Sequence, residues 1–232
     1  SVAMFAGGAD TRRCEAAAVK RSETKLLLSV QLDALQKFAP TMMDSPLRAL
    51  RADALLQDVT FAFDCGATRG AHRCVLALHS PVFRRLFDPS NPMVAGATVT
   101  LVGKAVGEFE LLLEYFYSSD ATLVRDESAV ALLALAEEYQ VGALKKECEA
   151  WLVDHVDAEQ AVDCLLLAQM YNCAALEATT RDLLVKEFEG VAQSDGFGSL
   201  PPELLADALQ RDELCVGSEE AVFLACARWH SL

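Results

Sequence analysis

Within "AHRCVLALHSPVFRRLF" (71–87), three side chains capable of metal or nucleophilic chemistry fall close together: His72, Cys74 and His79. An imidazole–thiolate–imidazole set is the beginning of a zinc site, and a thiol beside an imidazole is the beginning of a nucleophile–base pair. Zinc, however, needs three or four converging ligands, usually seeded by Cys-x-x-Cys or His-x-x-x-His. His72-x-Cys74 followed by His79 has neither spacing, and Cys65 is the only other donor nearby. The residue types allow metal chemistry and the spacing argues against it. A buried or hydrogen-bonded histidine is the better expectation, with no metal and no other cofactor.

Other reactive candidates fare no better. His155 lies on an apolar helical stripe and reads as a core or interface histidine, and His230 beside Trp229 carries no signal. There is no G-x-S-x-G elbow; "GFGSL" (196–200) does not fit one and runs into two prolines. No P-loop or dinucleotide fingerprint occurs. Acidic pairs such as Glu137–Glu138 and Glu219–Glu220 read as solvated helix faces. No catalytic residue is assigned, and enzymatic activity is not expected.

The elements that position these residues can be read from periodicity. Residues 1–40 are Ala-rich, with a possible helix after Gly7–Gly8, and read as an N-terminal extension, partly helical or disordered. "LRALRADALL" (47–56) predicts a short helix offering Leu47, Leu50 and Leu55 for burial. "DVTFAFD" (58–64) alternates, with Val59, Phe61 and Phe63 on one face, and predicts a strand. "CGATRG" (65–70) supplies a turn, "NPMVAGA" (91–97) a loop, and "TVTLV" (98–102) a second strand with Val99 and Leu101 inward. After that the pattern is helical. Phe109, Leu112, Leu113 and Phe116 recur at i, i+3, i+4 and i+7, as do Leu132, Leu135, Ala136 and Tyr139. Further stripes are Leu144–Cys148–Trp151–Leu152–His155, Ala161–Cys164–Leu165–Ala168, a helix around 174–189, and Val222–Ala225–Cys226–Trp229. In 71–87, Cys74, Val75, Leu76 and Leu78 read as packing, with Pro81 opening the next helix.

Composition narrows the partners. The chain has 232 residues, enough for one or two cored domains, with 20 Lys plus Arg against 34 Asp plus Glu and a formal net charge of −14. Such a surplus of anions opposes phosphate backbones and anionic lipid surfaces alike, so neither nucleic acid nor membrane is an expected partner. No apolar run approaches the length of a membrane span, and "LLLSV" (26–30) is too short for a signal peptide. Eight scattered cysteines read as free thiols in a reducing compartment, which predicts a cytoplasmic or nuclear protein. A first residue of Ser and an end just after a helix-like segment read as an excerpt of a longer protein.

In order along the chain, "DVTF", "AHRCVLALHSPVFRRLF", "EFELLLEYFYSS" and "LLALAEEYQVGALKKECEAWL" resemble a BTB (POZ) domain. "EQAVDCLLLAQMYNCAAL" and "SDGFGSLPPELLADALQRDELCVGSEEAVFLACARW" resemble the BACK domain that often follows it. The resemblance covers about residues 45–232 and implies an α+β, mostly helical chain. A BTB/POZ helical cluster with a short flanking β-sheet would occupy 41–156. An all-α BACK domain of helical hairpins, cut short at its C-terminal end, would occupy 157–232. It further implies a homodimer through the 47–56 helix, with Asp58 and Arg73 matching a charged pair near the two-fold axis. A local capping role for Asp58 stays open beside that one.

BTB-BACK proteins typically act as non-enzymatic substrate adaptors of cullin-3 ubiquitin ligases, holding the substrate through a separate domain. The contact residues this implies are Met93, Val94, Tyr139, Leu166 and Tyr171. The family's hydrophobic-x-Glu motif matches Met93-Val94-Ala95, so the carboxylate is missing. Losing a charged acceptor of this kind removes about 1.5–3 kcal/mol. Two readings therefore stand: a cullin-3 adaptor, or a dimerising scaffold or transcription/signalling cofactor that no longer binds cullin-3.

Overall fold

The computed structural model describes residues 47–88, 98–125 and 127–231. The chain divides into two compact units, Ser1–Asp53 and Ala54–Leu232. Of the first, the described part is helix α1 (47–52), on which Leu47 and Leu50 are half-buried. The single helix expected over 47–56 thus stops at 52, and a separate 3₁₀ turn, Ala54–Leu56, opens the second unit.

That unit starts with a small sheet. Strand β1 (Val59–Phe63) buries Val59, Phe61 and Phe63, as its alternation predicts. It pairs antiparallel with β2 (Thr68–Ala71) and parallel with β3 (Thr98–Leu101), giving the order β2-β1-β3. Strand β2 corrects the reading of 65–70 as turn alone: the turn closes at Gly66, where φ is +82°, and the chain is already paired at Thr68. "TRGA" carries no alternation because only Ala71 is buried. At Gly70 a Cβ would sit 1.8 Å from the Gln57 amide oxygen, so a larger residue there would require the Gln57 side chain to move.

Two short helices follow, α2 (Arg73–His79) and α3 (Pro81–Leu86). Ser80 ends one and caps the other: its Oγ accepts from the Phe83 amide at 3.1 Å, and Pro81 takes the first helical position. The same hydroxyl donates to the carbonyl of Tyr139, 59 residues further along the chain. Phe83, placed by that cap, is the hub of an aromatic core. Its ring stacks on Tyr139 at 4.6 Å and meets Phe61 at 5.7 Å and Phe116 at 6.1 Å edge to face.

Helix α4 (Val106–Ser118) buries Phe109, Leu112, Leu113 and Phe116, and α5 (Ala129–Glu138) buries Leu132, Leu135 and Ala136, both on the stripes expected from sequence. Helix α6 (Gly142–His155) then carries the chain to α7 (Ala161–Tyr171) and α8 (Ala174–Lys186), an antiparallel pair. The helix expected around 174–189 is interrupted: the Val185 carbonyl accepts from the Cys215 amide, Glu187 leaves helical angles, and α9 (Phe188–Gln193) starts in a new direction. Phe188 thereby enters a second core with Leu165, Leu184, Val191, Phe197 and Leu205. A 3₁₀ segment (Asp195–Ser199), α10 (Pro202–Leu209) and α11 (Glu219–Ser231) close that core, and Trp229 Nε1 donates to the Leu200 carbonyl at 2.8 Å.

Among the described cysteines, Cys148, Cys164 and Cys173 are buried as small apolar groups, and burial pushes all three thiols up, Cys148 to about 12. Cys65, Cys74 and Cys215 are exposed.

Ser80→Ala would leave the Phe83 amide and the Tyr139 carbonyl without this partner in the core. A loss of about 2 kcal/mol is expected, read as a lower urea midpoint at unchanged m.

Candidate protein-interaction site

His72, Cys74 and His79 do not converge. His72 is the N-terminal boundary residue of α2, not the end of a strand, and is 3% exposed. Its Nδ1 lies 2.6 Å from the Tyr117 hydroxyl, which also accepts the His72 backbone N–H at 3.0 Å. His79 ends α2 and stacks on Phe116 at 5.3 Å, with rings 17° apart. Burial lowers its pKa, and a hydrogen bond to the Phe116 backbone offsets part of that shift. Cys74, expected as packing, is exposed, as is Leu78 one turn later at 71%. The buried face of α2 is carried by Val75 and Leu76. Among the described residues, no three His, Cys, Asp or Glu side chains gather to hold a metal ion.

Asp58 and Arg73 are brought together through backbone groups. Asp58 Oδ1 accepts the Arg73 backbone N–H at 2.7 Å, and Arg73 Nε donates to the Asp58 carbonyl at 3.2 Å. Asp58 is exposed, and the Arg73 guanidinium lies 5.5 Å from the centre of the Phe87 ring. The Asp58 carboxylate therefore closes the start of α2, a role the His72 side chain cannot take while it is bonded to Tyr117. Leu55, 86% exposed, and Leu56 join Cys74 and Leu78 as uncovered apolar surface near the charged pair.

Of the remaining candidates, Met93 and Val94 (with Ala95) lie outside the described residues. Tyr139 is corrected from contact to core: it is 5% exposed, and its ring is covered by Phe83 and Phe109. Burial, helped by the Glu138 charge, raises the pKa of its hydroxyl. Leu166 is half-buried against the second core, and Tyr171 is half-buried at the end of α7 beside Met170, which is 67% exposed. Of the two readings of His155, core and interface, the first does not hold: it is exposed and stacks on Trp151 at 3.9 Å.

The residues that set this surface were not singled out from sequence. Lys145 and Glu149 are one turn apart on α6. Lys145 Nζ donates to the Tyr171 carbonyl at the end of α7, and Glu149 Oε1 accepts the Ala175 amide at 2.8 Å at the start of α8. A cation thus meets a helix C-terminus and an anion meets the next N-terminus, with Asn172 in the left-handed region making the turn between them. These partners are more than twenty residues apart, so no local sequence signature marks them.

Comparison with known proteins matches residues 47–156 to the BTB/POZ domain model and residues 161–232 to the model for BACK, "BTB And C-terminal Kelch". The chain is a BTB-BACK protein. The Lys145–Glu149 contacts are then the joint of the BTB domain with the first BACK helices. Similar curated proteins include zebrafish (Danio rerio) Kelch repeat and BTB domain-containing protein 8, 30% identical over 183 residues, and human Kelch-like protein 21, 31% identical over 183 residues. Each alignment covers 79% of this chain and 30% of the relative, so the chain spans about a third of the length of these relatives. Among solved structures, the BTB domain of zebrafish PATZ1 aligns with a TM-score of 0.41 at 22% identity, covering 50% of this chain and 91% of that one.

The lowered pKa of His79 has a definite sign. The unfolded chain takes up a proton near the ordinary imidazole value before the folded chain does. The contribution of His79 is therefore present above about pH 6.5 and is lost as pH falls through the lowered folded value. In urea titrations across pH 5–7.5, His79→Gln should show a shallower fall in stability on acidification than the parent chain. Parallel curves would show that another group carries the dependence.

Proposed function

We propose that this chain is the non-enzymatic, homodimeric adaptor portion of a cullin-3 ubiquitin ligase subunit. BTB followed directly by BACK is the arrangement of the Kelch-like relatives, a family generally associated with cullin-3 adaptors. The observation that carries the proposal is the α6–α7–α8 joint. Lys145 and Glu149 hold the α7–α8 turn so that Met170 and Tyr171 present an apolar edge beside the BTB domain. A preset edge of this kind lowers the ordering cost of docking a helical partner. Leu166, half inside the second core, supports that edge from below. The substrate protein would be held by a further domain, as the kelch repeats in the relatives' names suggest, and the setting would be cytoplasmic or nuclear.

Uncovered Leu55, Leu56 and Leu78 around the Asp58–Arg73 bond favour the homodimer. Pairing there would remove this apolar surface from water and desolvate a charged pair already satisfied by backbone partners. Leu55→Asp combined with Leu78→Asp should turn a dimer into a folded monomer in sedimentation velocity. A dimer that persists in the double variant would place the interface elsewhere.

Purified chain mixed with the cullin-3 N-terminal region should co-elute on gel filtration at micromolar concentration, and Met170→Asp should weaken the complex about tenfold or more. Absence of a complex would favour the second reading, a dimerising scaffold without cullin-3, which Ala95 motivates. In that case Ala95→Glu should restore measurable binding.

A further inference from the structure

A cleft of 690 Å³ opens in the BTB domain on a face formed by α4, the loop before α5, and the end of α6. Its apolar walls are Leu111 and Leu123, with the parallel stack of Trp151 and His155, whose planes are 7° apart. The stack is fixed from behind, because His155 Nδ1 lies 2.7 Å from the Trp151 carbonyl. The loop wall is equally set: Ser128 Oγ donates to the Leu123 carbonyl at 2.8 Å and accepts the Arg125 amide at 3.0 Å. Arg125 lines the cleft as its one cationic side chain, with Nε bound to the Thr122 carbonyl at 3.0 Å. Among the described residues, neither of its terminal nitrogens has a partner.

None of these features serves the joint or the surface at Leu55 and Leu78. A guanidinium oriented through Nε, with neither terminal N–H₂ group bound among the described residues, is suited to a carboxylate. A flat aromatic wall between two leucines is suited to an apolar or aromatic side chain. Among the described lining residues, Arg125 is the one full cation and Glu127 the one full anion, so an anionic group is favoured at Arg125 and disfavoured at Glu127. Glu127, also on the lining, opposes a second carboxylate and can accept a peptide N–H.

The geometry points to a docking site for an extended partner peptide that places one aromatic or large apolar side chain on Trp151 and one carboxylate on Arg125. A polypeptide fits better than a compact metabolite because the polar groups that would recognise it, Arg125 and Glu127, are exposed, so that one face of a chain is engaged.

The chain has two tryptophans, so a Trp229→Phe background leaves Trp151 as the sole indole reporter. The probes are short synthetic Gly-Ser peptides carrying one Phe and one Asp at varied separation, with Asp→Asn and Phe→Ser controls. At the matching separation, a peptide should shift Trp151 emission saturably, and either control should bind about tenfold more weakly. Arg125→Glu should cause a loss of similar size with melting temperature unchanged, since the side chain is exposed, and Arg125→Lys a smaller one. Equal affinity for the Asn control, unchanged affinity in Arg125→Glu, or no saturable shift up to about millimolar peptide would overturn the assignment. Phenylacetate binding as tightly as the best peptide would overturn it in favour of a small-molecule cleft.

Discussion

One buried hydroxyl ties the front half of the molecule together. Ser80 must end α2, start α3 and meet the end of α5, and its oxygen does the last two by accepting the Phe83 amide and donating to the Tyr139 carbonyl. A hydroxyl taken out of water is costly unless both its capacities are used, so the arrangement has one well-satisfied solution. That solution fixes where Phe83 stands. With Phe83 in place, the rings of Phe61, Phe116 and Tyr139 have a surface to close on, and the small sheet acquires a helical layer to rest against. A three-stranded sheet with four- and five-residue strands has little stability of its own, which is why this anchoring matters.

The same economy recurs at the passage from BTB to BACK. Helix ends leave carbonyl and amide groups without intrahelical partners, and the α7–α8 turn exposes one set of each. A Lys and a Glu one turn apart on α6 answer both sets, and the order of the charges matches the order of the helix ends. The BACK hairpin is therefore registered on the BTB domain by directed bonds as well as by apolar packing.

Much of this was legible in the residues. The alternation of Val59, Phe61 and Phe63 and the stripes on α4 and α5 follow from periods of two and 3.6 that burial imposes directly. The ordered series of motifs identified the domain pair. What escaped was long-range or contrary to period. Strand β2 pairs through backbone groups while its side chains show little burial, so "TRGA" resembles a turn. The break at Glu187 is accompanied by a bond from the Cys215 amide, thirty residues away in sequence, to the Val185 carbonyl. Tyr139 belongs to the stripe of Leu132, Leu135 and Ala136, and that periodicity located it correctly. Assigning it a surface role rested on resemblance alone. The cluster at 71–87 separated because α2 is a helix from Arg73 onward, which sends adjacent side chains in different directions.

Two of the buried thiols belong to the joint. Cys148 lies on α6 and Cys173 at the start of α8, which packs against α6, and neither is accessible. Burial holds both in the thiol form, so they are inert while the helices stay together. A thiol reagent would reach them only after α6 and α8 separate. Their labelling rate would then count how often the two domains part, giving the protein a chemical clock for its own internal motion.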